Sequence, residues 1–194
     1  MAWALVGLYL VAIIVNAVVL IRANPDLIAE RAGIGPGAKA WDKVLGPLAG
    51  FLGPLATWIV AGLDMRLQWS PHISVATESV ALVIAALGLA SLSWAVFSNR
   101  FFSSVARIQR ELGHTVVSSG PYQYIRHPGY AGMIILALST PFLLGSLWAL
   151  IPGTITAGLT GARTVLEDKM LREELEGYTA YAQRVRYRLL PRVW

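Results

Sequence analysis

The chain reads as long apolar stretches separated by short polar ones. The first stretch, "AWALVGLYLVAIIVNAVVLI" at 2–21, has the roughly 20 predominantly apolar residues that a helix needs to cross a bilayer core. It lacks the basic start and short apolar centre of a signal peptide, so it predicts a retained helix. The second, "LGPLAGFLGPLATWIVAGL" at 45–63, repeats LGPLA and sets Pro47 and Pro54 seven residues apart on one face, where they kink the helix or pack against a neighbour. The third runs over 73–97 and holds one acid, Glu78, near its start. From Tyr130 to about Thr160 the apolar run is too long for one untilted span, and Pro141, Gly145 and Pro152 punctuate it. The segment "LLGSLW" reads as a tight turn, predicting a helical hairpin over 128–144 and 146–161. On its second arm Ala149, Gly153, Ala157 and Gly161 recur every four residues, a stripe of small residues that lets another helix approach. Beyond it, Leu171, Leu175, Tyr178, Ala182, Val185 and Leu189 recur at threes and fours. They predict an amphipathic helix over 164–188 lying on the membrane surface or on the loop between the third and fourth spans.

Composition supports this and narrows the chemistry. The 194 residues are 56% hydrophobic and 14% charged, against about 25% charged in an ordinary soluble domain. There is no cysteine, which removes disulfides, thiolate nucleophiles and cysteine-type zinc sites. His72, His114 and His127 are the only histidines, too scattered for a His-rich metal site, so no metal is expected. The net charge of +5 reports topology and anionic membrane lipids rather than nucleic acid. Lys and Arg fall in segments 22–44, 99–129 and the tail, while 64–72 has Arg66 alone. Five spans with the N-terminus outside put every strongly basic segment in the cytoplasm. The expected fold is therefore an all-α integral membrane protein. It has about five transmembrane helices, the last two a hairpin, a C-terminal cytoplasmic amphipathic helix, and one domain over 1–194.

"GIGPG" at 33–37 has no preceding strand and is broken by Pro36, so it reads as a loop and no Rossmann fold is expected. Three other elements carry candidate chemistry. In "GPYQYIRHPGYAG", 120–132, Pro128 suits the first turn of a helix. That makes His127 the cap residue and leaves backbone N–H groups and the positive end of the helix dipole facing the loop. Gly120, Gly129 and Gly132 remove bulk so that a ligand can approach backbone. Tyr122 and Tyr130 offer faces for an aromatic ring or a cation. Arg126 beside a membrane helix is equally a topology signal. In "RTVLED", 163–168, Arg163 and Glu167 stand i, i+4, either an ordinary helix pair or an anion clamp beside a cation partner. Upstream, "IQRELGH" supplies Gln109 and His114.

These elements, in this order, resemble the isoprenylcysteine carboxyl methyltransferase family. The resemblance rests on "GHTVVSSGPYQYIRHPGYAG", an apolar hairpin and "RTVLEDKMLREELEGYTAYAQRVRYRLLP", and covers 109–191. It implies S-adenosyl-L-methionine as methyl donor, bound on the cytoplasmic side, with a prenylated cysteine or lipid-like acceptor. Carried onto matching positions, Gln109, His114, Thr115, Val116, Val117, Tyr122, His127, Pro128, Gly129, Tyr130 and Glu167 become cofactor residues. Arg163 becomes the residue that engages the substrate carboxylate. On this reading 1–98 is a lipid- and substrate-facing trio of helices, and 99–194 holds the cofactor loop, hairpin and tail. The family often shows Glu-Glu where this chain has Glu167-Asp168, which leaves Asp168 without an assigned role. The compactness resembles a prokaryotic member, in a cell membrane. Three other functions fit similar motifs: a phospholipid amine N-methyltransferase, an NADPH-dependent sterol reductase-like enzyme, and a non-enzymatic membrane scaffold.

Overall fold

A computed structural model describes residues 1–23 and 37–193. Arg31 and all of the "GIGPG" segment but Gly37 lie outside the described residues. The described part is helical throughout, with no strand, as an all-α membrane protein requires. Helix α1 spans Ala2–Ala23. Helix α2 spans Asp42–Leu67 and changes pitch once, through a π-turn at Leu48–Leu52. That turn falls between Pro47 and Pro54, the residues that interrupt the hydrogen-bond ladder. Helix α3, Val75–Ser98, starts at an N-cap, Ser74, whose side chain accepts from the Thr77 N–H. The hairpin is α4, Pro128–Leu143, and α5, Leu150–Glu174. A short α6, Tyr178–Arg184, follows.

By length and apolarity α1, α2 and α3 can each cross a membrane, and α4 is a shorter apolar helix. Ile13, Val83 and Ile155, each more than half exposed, belong to an outer face made for lipid. Inside, packing relies on small residues. A Cβ on Gly132 would lie 2.5 Å from the Gly88 carbonyl oxygen, one on Gly153 2.6 Å from that of Ala137, and one on Gly53 2.2 Å from Thr156 Oγ1. Helices α3, α4, α5 and α2 thus touch backbone to backbone or backbone to side chain, the close approach by which helices associate in lipid. On α5 the buried face runs through Ala149, Gly153, Thr156, Thr160 and Thr164. It departs from the expected four-residue stripe, because Gly161 has nothing within 4 Å of its Cβ position.

The tail also departs from expectation. Helix α5 runs on beyond the expected span of 146–161 to Glu174, and Gly177, at φ +80°, then breaks the chain's direction. A period of threes and fours does not distinguish one helix from two segments folded around a common core. Here Leu175, Tyr178, Tyr181 and Ala182 bury against Ile108 and Val116. The stripe therefore covers the loop between α3 and α4, one of its two expected partners.

At one end of the bundle, buried Asp64 accepts from Ser70 N (2.7 Å), Ser70 Oγ (2.5 Å) and Ser146 Oγ, tying the α2–α3 connection to the hairpin turn. Gly145, at φ +71°, makes that turn. The opposite end gathers the loop, the tail and Arg163, and it is where the charged side chains concentrate.

Candidate functional site

The turn before α4 is held by an ionic knot. Arg126 donates from Nε to Asp168 Oδ1 (2.7 Å) and from Nη2 to Oδ2 (3.1 Å), and from Nη1 to the carbonyls of Val185 (2.7 Å) and Arg186 (2.8 Å). Asp168 also accepts from Tyr178 Oη (3.0 Å) and from Nε of Arg172 and of Arg188 (3.1 Å each), with His127 Nε2 at 3.3 Å. The backbone joins in: Arg126 N donates to Tyr187 O and His127 N to Arg188 O, both at 2.9 Å. Burial alone would raise the Asp168 carboxyl, yet donation from His127 and Arg126 holds it well below the usual carboxylate range. Burial, reinforced by the Asp168 charge, moves Tyr178 the other way, far above its ordinary value. Arg126 and Asp168 are thus structural tethers between the loop, α5 and the tail. Tyr181, pushed up to about 12 chiefly by burial, donates to the Tyr122 carbonyl at 2.6 Å and stacks edge-on with Tyr178 at 5.5 Å.

Beside the knot lies a cavity of about 720 Å³, within the range of small-molecule sites. Its polar end is walled by Arg163, Glu167, Tyr130, His127, Tyr178 and the loop stretch 114–117; its other end by Ile13, Leu89, Leu92, Val96 and Met133 from α1, α3 and α4. Tyr130 donates its hydroxyl to Glu167 Oε2, and its ring lies beneath the Arg163 guanidinium, 5.3 Å from centroid to Cζ. Arg163 itself does not pair with Glu167 one turn along. Its Nε and Nη2 form a fork onto buried Asp42 (2.6 and 2.9 Å), and Nη2 also donates to Ser104 O (2.8 Å). His114 stacks on Phe101, 4.4 Å between centroids, and burial followed by the Arg107 charge lowers it to about 4, so it is neutral at physiological pH. A second, apolar cavity of about 470 Å³ adjoins the first, sharing Tyr9, Gly50, Leu92 and Met133.

Of the residues singled out from sequence, His114, Thr115, Val116, Val117, Tyr122, His127, Gly129, Tyr130, Arg163 and Glu167 line this cavity. Gln109 and Pro128 do not. Gln109 is fully buried behind the wall, donating to Phe101 O at 2.9 Å, and its Oε1 is a buried acceptor without a hydrogen-bond partner. Pro128 opens α4 as expected and is fully buried. His127 holds the cap position but caps nothing with its side chain, which turns to Asp168 instead. The glycines serve packing: a Cβ on Gly129 would meet Phe102 at 2.7 Å, one on Gly120 would meet Ser98 Oγ at 2.3 Å, and Gly120 sits at φ +57°. Sequence reasoning passed over Asp42, whose only local signal was an acid at the head of a membrane span. It also passed over the Asn16–Ser93 hydrogen bond (2.8 Å) on the apolar wall.

The family model described as "Isoprenylcysteine carboxyl methyltransferase (ICMT) family" matches residues 79–173, the stretch from α3 through α5 that builds most of this cavity. The matched stretch, just under half of the chain, is that of the isoprenylcysteine carboxyl methyltransferase family. Among curated relatives, a probable protein-S-isoprenylcysteine O-methyltransferase of Oryza sativa subsp. indica is 29% identical over 109 residues, covering 55% of this chain and 57% of that protein. Protein-S-isoprenylcysteine O-methyltransferase B of Arabidopsis thaliana is 30% identical over 92 residues, 46% and 47% of the two chains. Protein-S-isoprenylcysteine O-methyltransferase of Schizosaccharomyces pombe is 41% identical over 51 residues, 26% and 22%. The matched stretch thus spans about half the length of the first two relatives. Asp42 lies outside the family match, and Arg163, Glu167 and Asp168 lie inside it.

Proposed function

We propose that this membrane protein is a methyltransferase that moves a methyl group from S-adenosylmethionine to the terminal carboxylate of an S-isoprenylated cysteine, on the cytoplasmic side. The observation that carries this is a single cavity joining a charged end to an apolar wall. Its polar end presents Arg163 for an anion, and Glu167, Tyr130 and Tyr178 for cationic groups. Its apolar end adjoins the second cavity, between α1, α2, α4 and α5, a place for a lipid tail.

The donor set fits S-adenosylmethionine. One ionisable acid, Glu167, and the aromatic faces suit its positive groups, while the neutral His114–Phe101 stack suits a flat base. Bound there, the donor supplies an electrophilic methyl carbon on a sulfonium sulfur. The acceptor carboxylate is already ionised at neutral pH and needs no base, so the protein's task is to align it and to exclude water. Arg163 Nη1, committed to neither Asp42 nor Ser104, is the donor that would orient it. Phe102, Leu92 and Met133 keep the neighbouring wall dry. A phospholipid amine would need a base, for which the sequence offered His127 and Tyr122. Here the His127 ring faces Asp168 and Tyr178, and the Tyr122 hydroxyl is engaged by Asn99 and Ala95 (3.3 and 3.4 Å). Those commitments favour a carboxylate acceptor.

The test is transfer of labelled methyl to N-acetyl-S-farnesylcysteine against phosphatidylethanolamine, with calorimetric titration of S-adenosylmethionine, S-adenosylhomocysteine and NADPH. Binding of NADPH alone sinks this reading. Glu167→Gln is expected to weaken S-adenosylmethionine about tenfold, the effect of losing roughly 1.4 kcal/mol. It should weaken the uncharged-sulfur homocysteine compound less. Equal affinity in mutant and wild type would remove Glu167 from the donor site.

A further inference from the structure

Among the described residues, Asp42 is the one acid that the N-terminal half contributes to the polar end, and its side chain is 0% exposed. Resting on the reading above, we infer that Asp42 is the positioning residue for Arg163: it fixes the guanidinium so that one terminal nitrogen meets the acceptor carboxylate, and it neutralises the rest of the charge.

A guanidinium has five N–H donors in a rigid plane. Asp42 takes one edge, through Nε and Nη2, and Ser104 O takes the second hydrogen of Nη2. The Tyr130 ring covers a face. Only Nη1 is left outside these contacts, so an arriving carboxylate meets a donor of defined direction instead of a mobile cation. Asp42 is itself held. Its Oδ2 accepts from Ala106 N at 2.6 Å, Lys39 N donates to Ala106 O at 3.1 Å, and Lys39 Nζ bridges to Glu174 at 2.5 Å. The segment 39–42 is thereby stitched to the loop after α3 and to the end of α5. Glu167 is left to Tyr130 and the cavity because Asp42 has taken Arg163.

The charge balance gives a distinctive signature. Paired with the Asp42 side chain, Arg163 attracts a carboxylate weakly; without that partner it carries a full, mobile positive charge. Asp42→Asn should therefore bind the acceptor more tightly and use it worse. The expected result, for N-acetyl-S-farnesylcysteine and purified full-length protein, is KM lowered about threefold or more and kcat lowered about tenfold or more. Because kcat falls further than KM, kcat/KM falls as well: transition-state stabilisation is lost while the ground state binds more tightly. S-adenosylhomocysteine affinity should stay within about twofold. In an Arg163→Gln background the same change should cost nothing further, because Asp42 acts through Arg163. Asp42→Glu, which keeps the charge but moves it by one methylene, should lower kcat without lowering KM; it also serves should Asp42→Asn not fold. Wild-type kinetics in either variant, a kcat loss in Asp42→Asn at unchanged KM, or an additive loss in the Arg163→Gln background would overturn the assignment. Absence of transfer by the wild type would instead sink the methyltransferase reading, and the inference with it.

Discussion

Asp168→Asn is expected to loosen the whole polar end of the bundle. The carboxylate is 1% exposed and takes hydrogen bonds from three arginines and a tyrosine, with His127 in reach. An amide offers one acceptor oxygen and turns an NH₂ group toward Arg126, whose side chain is itself 2% exposed. Removing one partner of a buried ion pair costs about 3–5 kcal/mol, a large share of a total stability of about 5–15 kcal/mol. Thermal unfolding in detergent should show a clear fall in Tm, and limited proteolysis should reach the chain after Gly177 first. The pH dependence follows. The folded carboxyl lies below its ordinary value of 3.8, so its contribution is complete above about pH 4 and is lost as pH falls below that. The asparagine variant should lack this acid-sensitive component. A variant with wild-type Tm and the same acid profile would mean that the knot is not what holds the tail.

Arg163→Gln carries the second large effect, on reaction. Loss of one pre-organised donor at a reacting oxygen costs about 10²–10³-fold in rate, and kcat/KM for the prenylcysteine probe should fall by that order. Affinity for S-adenosylhomocysteine should hold, since Glu167 and the aromatic walls remain. Asp42 keeps the Ala106 N–H but loses its buried cation, so this variant should also be less stable, and its kinetics are to be read below its own Tm. Parallel loss of transfer and of donor binding would contradict a role for Arg163 on the acceptor side.

The helices were legible because bilayer solvation writes itself as long apolar runs. Pro47 and Pro54 announced a disturbance in the second, which takes the form of a π-turn. Ten of the twelve residues singled out for the site line one cavity, since the motif residues lie on the α4 turn, the preceding loop and one turn of α5. Pairings were not legible. Arg126 and Asp168 both sat in recognised motifs, but nothing local says that residues 42 apart meet. Asp42 finds Arg163 across 121 positions, from outside the family match. The motif glycines misled for a physical reason: space for a ligand and space for a neighbouring helix are the same absence of a Cβ. Only the surroundings, Phe102 at Gly129 and the Gly88 carbonyl at Gly132, tell them apart.

Helix α4 has 16 residues, about 24 Å at 1.5 Å per residue, whereas a hydrocarbon core is about 30 Å thick. Its neighbour α3 has 24 residues and meets no such shortfall. Hydrophobic mismatch therefore falls on the face of the bundle that carries the Arg-His-Pro turn. Either lipid thins there, or the turn lies about a helical turn beneath the headgroups. In both cases acyl-chain length in the surrounding membrane becomes a variable of the proposed chemistry, setting how deep the proposed acceptor would have to carry its charge to meet Arg163.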